Sequence, residues 1–180
     1  DYITFVDSDD YLETGTYPAL MQLLATHPEY DILEYPCTTY PLTDHTYTDM
    51  NDYWLKGKAY RHTYAWNKIY RRQLFRDVRF PVGKVFEDVY TLPKILALCK
   101  TVATTDKGFY HYVANTNGIT RTAGGKELQM LLEAHIDVLR KEFPKADDNY
   151  YMPVVNIQMD VCERTGLPPT LPYYNVSANS

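Results

Sequence analysis

Residues 2–12, Tyr-Ile-Thr-Phe-Val-Asp-Ser-Asp-Asp-Tyr-Leu, run an apolar stretch directly into three carboxylates, Asp7, Asp9 and Asp10. Carboxylates this dense repel one another and raise each other's pKa unless a hard cation neutralises them. In open α/β sheets the carboxyl end of a strand is also where ligands bind. The pattern points to a divalent-metal and phosphate site. The plainer alternative is an acidic turn in which an Asp caps the next helix, which accounts for one of the three more easily than for all.

A second acidic pair, Glu87-Asp88, stands before Val89, Leu92, Leu96 and Cys99, whose spacing predicts a helix over 88–99. A proline deep in a helix loses a hydrogen bond and clashes with the preceding turn, at about 3 kcal/mol, so Pro93 is expected within roughly the first four positions. Glu87 and Asp88 then sit at the helix N-terminus. There the dipole favours ionised carboxylates by roughly 0.3–1 kcal/mol, which would keep Asp88 unprotonated and able to accept a proton. The alternative is that both charges serve only the helix.

The elements that must position these residues follow from periodicity and punctuation. A strand over 2–6 leads through the acidic loop to a helix over 16–26, with Leu20, Leu23 and Leu24 as its buried stripe and Pro18 in its first turn. Residues 31–35 read as a second strand, 37–48 as extended or hairpin structure, and 49–56 as a short helix ending at Gly57. Residues 57–68 read as an irregular active-site loop. Strands are expected over 101–105 and 108–113, joined by a turn at Asp106-Lys107-Gly108. Two further helices are expected over 126–142, closed by Pro144, and over 149–165, closed by Gly166. His135 falls on an apolar stripe and reads as a packed side chain. Short strands mixed with longer amphipathic helices predict an α/β domain with a small mixed sheet packed by helices.

Composition narrows the function classes. A chain of 180 residues suits one domain, and a formal net charge of −5, from 18 basic and 23 acidic residues, gives no electrostatic reason to expect nucleic acid. No apolar run of about 18 residues is available to span a membrane, and no secretory signal is present. Cys37, Cys99 and Cys162 are odd in number and lie among apolar neighbours, as reduced thiols of a cytosolic protein do. Without a Cys-x-x-Cys or a Cys/His cluster, zinc is not expected. Eighteen tyrosines offer flat faces with polar tips, suited to a sugar-binding cleft, although most are expected to cover half-buried surface.

Several segments together resemble family 2 nucleotide-sugar glycosyltransferases. Val6-Asp7-Ser8-Asp9-Asp10 resembles that family's Asp-X-Asp strand end, and Trp66-Asn67-Lys68-Ile69-Tyr70-Arg71-Arg72 its Trp-x-Lys-hydrophobic-Tyr-Arg segment. Phe86-Glu87-Asp88-Val89 resembles its Glu-Asp motif. Tyr110-His111-Tyr112 and Asn117-Gly118-Ile119-Thr120-Arg121 resemble its late Tyr-x-Tyr and Ser-Ile-Thr region. A lone Asp-X-Asp is weak, but four segments in the family's order across residues 2 to about 121 are specific.

The resemblance implies the second half of a glycosyltransferase A-type (GT-A) fold over residues 1–167, with 168–180 as a tail. It implies inverting, metal-dependent transfer of a sugar from a nucleoside diphosphate donor to a hydroxyl on a glycan or lipid-linked acceptor, in surface polysaccharide or glycan synthesis. On this reading Asp7 and Asp9 hold Mn²⁺ or Mg²⁺, and Asp10 either supports them, contacts substrate or caps the next helix. Asp88, with Glu87 beside it, is the base; Trp66 stacks on the acceptor sugar or, alternatively, packs in the core; Lys68 contacts substrate; Arg121, together with Arg71 or Arg72, reaches the diphosphate. The location implied is the cytoplasm, including the inner face of the membrane.

In that family the metal motif lies about halfway through the catalytic domain, so the chain is expected to be a fragment lacking the nucleotide-binding half. It is then expected to be inactive alone, to bind nucleotide-sugar poorly, and to self-associate through the strand at 2–6. The alternative function is a non-catalytic domain serving interaction or dimerisation. A phosphohydrolase of the haloacid dehalogenase kind fits poorly, because Tyr11 stands where Thr or Val is needed. An EF-hand is excluded by Leu12 at its sixth loop position.

Overall fold

The computed structural model describes residues 1–114 and 124–171. Its main sheet has five strands: β1 (Tyr2–Thr4), β3 (Ile32–Glu34), β4 (His45–Tyr47), β5 (Lys68–Arg71) and β6 (Val102–Thr104), in the order β1-β5-β3-β6-β4. Only β3 and β6 run parallel; the other pairings are antiparallel. A separate two-stranded ribbon pairs β2 (Tyr11–Leu12) with β7 (Tyr110–His111). This is the small mixed sheet with packed helices that the pattern predicts, and it is consistent with part of a GT-A-type fold.

Strand periodicity sorts the core into two layers. Leu33, Ile69 and Ala103 face α1 (Thr16–Thr26), which inserts Leu20 and Leu24 against them. Fully burying a leucine contributes roughly 1.5–3 kcal/mol, so these two side chains alone anchor the helix. Ile32, Tyr70 and Val102 face the other way, onto α2 (Met50–Leu55), α3 (Glu87–Leu96), α4 (Gly125–Leu139) and α5 (Asp148–Thr165). Asp49 caps α2 by accepting from the Asn51 amide, and Asp147 caps α5 by accepting from the Tyr150 amide.

Two details depart from the sequence reading. β5 falls where an irregular loop gives way to unassigned chain, yet it lies between β1 and β3 in the sheet. Its Lys68 is fully buried, and a lysine at the head of a strand hides the apolar run. Pro93 is the seventh residue of α3, deeper than the first turn, although Glu87 and Asp88 do open that helix. The strands on either side of Asp106-Lys107-Gly108 form as expected, β6 in the main sheet and β7 in the ribbon. Cys37, Cys99 and Cys162 are all free thiols. Among the described residues no helix is long and apolar enough to cross a membrane.

Candidate active site

The acidic loop after β1 is held by a single buried tyrosine. Tyr110, on β7, donates its hydroxyl to Asp10 Oδ2 at 2.7 Å and accepts from the Asp7 amide at 3.1 Å. The Val113 amide donates to Asp10 Oδ1 at 2.9 Å. Both Asp10 oxygens are therefore engaged by the protein, which makes Asp10 a support for the loop and leaves Asp7 and Asp9 exposed toward the cleft. None of the three caps α1: its N-cap is Gly15, at φ 84, with no side-chain cap bond.

A cleft of about 710 Å³ receives these residues together with Glu87, Asp88 and Trp66. Asp88, in the first turn of α3, accepts from the Ala65 amide at 3.0 Å. Phe86, just before the pair, has φ 55, a left-handed conformation that strains an aromatic residue and is common where a backbone serves a site. The Asp88 carboxyl is pushed up to about 6, first by burial and further by the charges of Glu87 and Asp7, against the Ala65 hydrogen bond and Lys68. Desolvation thus outweighs a dipole term of under about 1 kcal/mol, and Asp88 is unprotonated above about pH 6, still able to accept a proton at neutral pH. A carboxyl near 6 is better matched to taking a proton at neutral pH. Asp7 is also raised, first by desolvation and then by Asp10, Glu87 and Asp9, so negative charge gathers at this part of the cleft.

That charge and its oxygen donors suit a hard divalent cation. Mg²⁺ or Mn²⁺ takes one or two carboxylates and fills its shell with water and phosphate oxygens, which matches Asp7 and Asp9. Among the described residues no group of three or more His, Cys, Asp or Glu side chains is placed to hold a metal ion, so the protein itself would offer at most two carboxylates.

Other candidates fall elsewhere. Lys68, expected to contact substrate, is fully buried. Its ammonium donates to the carbonyls of His62 and Tyr64 and to Asn67 Oδ1, and lies 3.2 Å from Glu34, so it acts beneath the cleft. Arg71 and Arg72 line a different groove beside β1, and Arg71 sits 3.6 Å from Asp31. Arg121 lies outside the described residues. Trp66 is 8% exposed, and Tyr64, Tyr110 and Tyr112 stack on it at 4.7, 4.1 and 5.9 Å between ring centroids. Its ring is thus part of an aromatic wall, and the half-buried Tyr64 and Tyr112 share the cleft lining with it. Arg61, exposed on the cleft and 6.0 Å from the Tyr60 ring, was missed because it sits in an irregular segment without a motif. His135 is buried, 2.9 Å from the Tyr150 hydroxyl, and burial lowers it to about 4, as a packed histidine at the cleft floor.

No family model matches the chain. Over 152 residues it is 27% identical to the glycosyltransferase GlyA of Streptococcus pneumoniae serotype 4, a match covering 74% of this chain and 22% of that protein. The chain is a distant relative of a glycosyltransferase. It spans about a fifth of the length of this curated relative, and the relationship supports glycosyl transfer in general.

Proposed function

We propose that the chain carries the metal-ligand and base residues of an inverting glycosyltransferase, of family 2 and GT-A type. The donor is a nucleoside diphosphate sugar, and the acceptor is a hydroxyl of a glycan or lipid-linked chain in polysaccharide synthesis. The observation that carries this reading is the meeting of Asp7, Asp9 and Asp88 in one cleft, although 79 residues separate the last two in sequence. Asp88 takes the proton from the acceptor hydroxyl as it attacks the anomeric carbon from the face opposite the leaving group. The aromatic wall of Tyr64, Trp66 and Tyr112 offers flat apolar faces to a pyranose ring. Asp7 and Asp9 would hold Mn²⁺ or Mg²⁺, which supplies positive charge for the departing diphosphate. The whole protein's activity, and a cytoplasmic place at the inner membrane face, belong to the same proposal. So does pairing of two copies along the outer edge of β1, the terminal strand of the main sheet, which light scattering would register as a dimer.

The test is electron paramagnetic resonance of free Mn²⁺ titrated with the protein alone, without nucleotide, so that nucleotide contacts do not decide the outcome. The free-ion signal should fall on adding the protein, remain unchanged with Asp9→Ala, and fall normally with Asp88→Asn. Equal depletion by the parent and Asp9→Ala, or none by either, overturns the assignment of the acidic loop as the metal site.

A further inference from the structure

We propose that Glu34, His62 and Lys68 form a buried ionic clamp whose work is to hold the 57–67 segment against the cleft and so position Asp88, a role that rests on the reading of Asp88 as the base. All three side chains are at most 1% exposed. Glu34 and Lys68 are direct cross-strand partners in the β3/β5 register, and strand alternation turns both toward the layer that carries the helices. Glu34 Oε1 accepts from the Tyr53 hydroxyl at 2.7 Å, and Glu34 Oε2 lies 2.6 Å from His62 Nδ1. The other ring nitrogen of His62 faces the Gly57 carbonyl at 3.0 Å. Both nitrogens therefore lie within hydrogen-bond distance of oxygen atoms, so the ring is held at both ends.

Between Arg61 and Lys68 the backbone belongs to no helix or strand. Its polar groups still need partners when buried, and the clamp supplies them. His62 reaches the Gly57 carbonyl, and Lys68 takes the carbonyls of His62 and Tyr64. Asn67 ties the segment to the Tyr35 carbonyl of the β3 side at 3.0 Å. Lys58, at φ 54, opens the segment in a left-handed conformation that a lysine adopts only when its surroundings enforce it. The segment so held brings Arg61, Thr63, Tyr64 and Trp66 to the cleft and aims the Ala65 amide at Asp88. Packed hydrophobic residues can replace buried ion pairs without loss of stability, so stability alone does not call for a buried Glu34–Lys68 pair here. A directional set of donors, fixing three carbonyls at once, does what apolar packing cannot.

The experiment is site-resolved amide exchange by nuclear magnetic resonance on the whole chain, without substrate or metal. A failure here is thereby distinguishable from a failure of the Mn²⁺ experiment. Three variants are compared: Glu34→Gln; the double variant Glu34→Leu with Lys68→Met, which leaves neither charge unpaired by the other; and Val154→Ala in α5 as a destabilised control. Relative to the amides of β6, the Ala65 amide should exchange at least about tenfold faster in the two clamp variants, the effect of losing one or two net hydrogen bonds. Its proton resonance, set by a carboxylate acceptor, should move as well. Val154→Ala should leave both the ratio and the resonance as in the parent. If Ala65 and β6 accelerate in step in every variant, the cluster only adds general stability and the proposal fails. Should neither clamp variant fold, Tyr53→Phe, which removes one donor to Glu34, must show the same selective loosening at smaller scale; its absence also overturns the proposal.

Discussion

Replacing Asp88 by Asn should make the protein more stable at pH 8 while removing the proposed proton acceptor. The carboxyl rises from its ordinary 3.8 to about 6 in the folded chain, chiefly through burial. For an acid whose folded pKa is raised, stability is full below the unfolded value and is lost as pH climbs through the folded one. At about 1.4 kcal/mol per pH unit, ionised Asp88 lowers folding stability by about 3 kcal/mol above pH 6. Asn is neutral at every pH and its carbonyl oxygen can still accept from the Ala65 amide. The gain for Asp88→Asn should therefore approach about 3 kcal/mol at pH 8 and vanish near pH 3.5. For a chain of this size that is a rise in Tm of roughly 6–12 °C at the higher pH. Urea unfolding followed by circular dichroism at the two pH values measures both ends. A variant unchanged or destabilised at pH 8, or one stabilised equally at both pH values, would refute the argument that burial holds this carboxyl at a cost to folding.

Three further outcomes are expected. Tyr110→Phe removes the hydroxyl shared by Asp10 and the Asp7 amide, so it should destabilise by about 1–3 kcal/mol in urea and speed exchange at the Asp7 amide. Gly108→Ala forces a side chain onto φ +77 and brings its Cβ to 2.9 Å from Thr16 Cγ2, so it should lower stability by more than about 1 kcal/mol, read as a drop in Tm. Burial alone would raise Glu34, but the Lys68 and His62 charges and the hydrogen bonds from His62 and Tyr53 bring it down to about 2. Its stabilising contribution is present above about pH 4.5 and lost as pH falls toward 2, so near-ultraviolet dichroism should collapse in that window.

The acidic loop, the Glu-Asp helix start and every long helix were legible because their signals are local. Apolar residues at helical spacing, and carboxylates at an element's end, announce themselves within a dozen residues. β5 was not legible, because a strand of four residues headed by a lysine reads as polar loop until its cross-strand partner is known. Glu34 lay inside a correctly read strand, yet its burial follows from a histidine and a lysine 28 and 34 residues away. The motif points Lys68 toward substrate, whereas its register turns it inward. The upward shift of Asp88 is hidden for a related reason: helix position can be read from sequence, whereas the depth of a carboxyl cannot.

The place of β5 in the sheet has a consequence for what can vary. On one side it pairs with β1, whose end leads to Asp7 and Asp9, and Thr4 donates its hydroxyl to the Lys68 carbonyl at 2.9 Å. On the other it pairs with β3, and its first residue anchors the segment that reaches Asp88. The two chemical halves of the cleft thus share one short rod as a common reference, and their spacing is fixed along it, independent of the loops at the rim. Rewriting the rim, at Thr39 or Val113 for instance, can then reshape what enters the cleft while the acids keep their separation. A shift of one residue in the pairing of β5 would do the reverse, turning Lys68 to the other face and unseating both halves together.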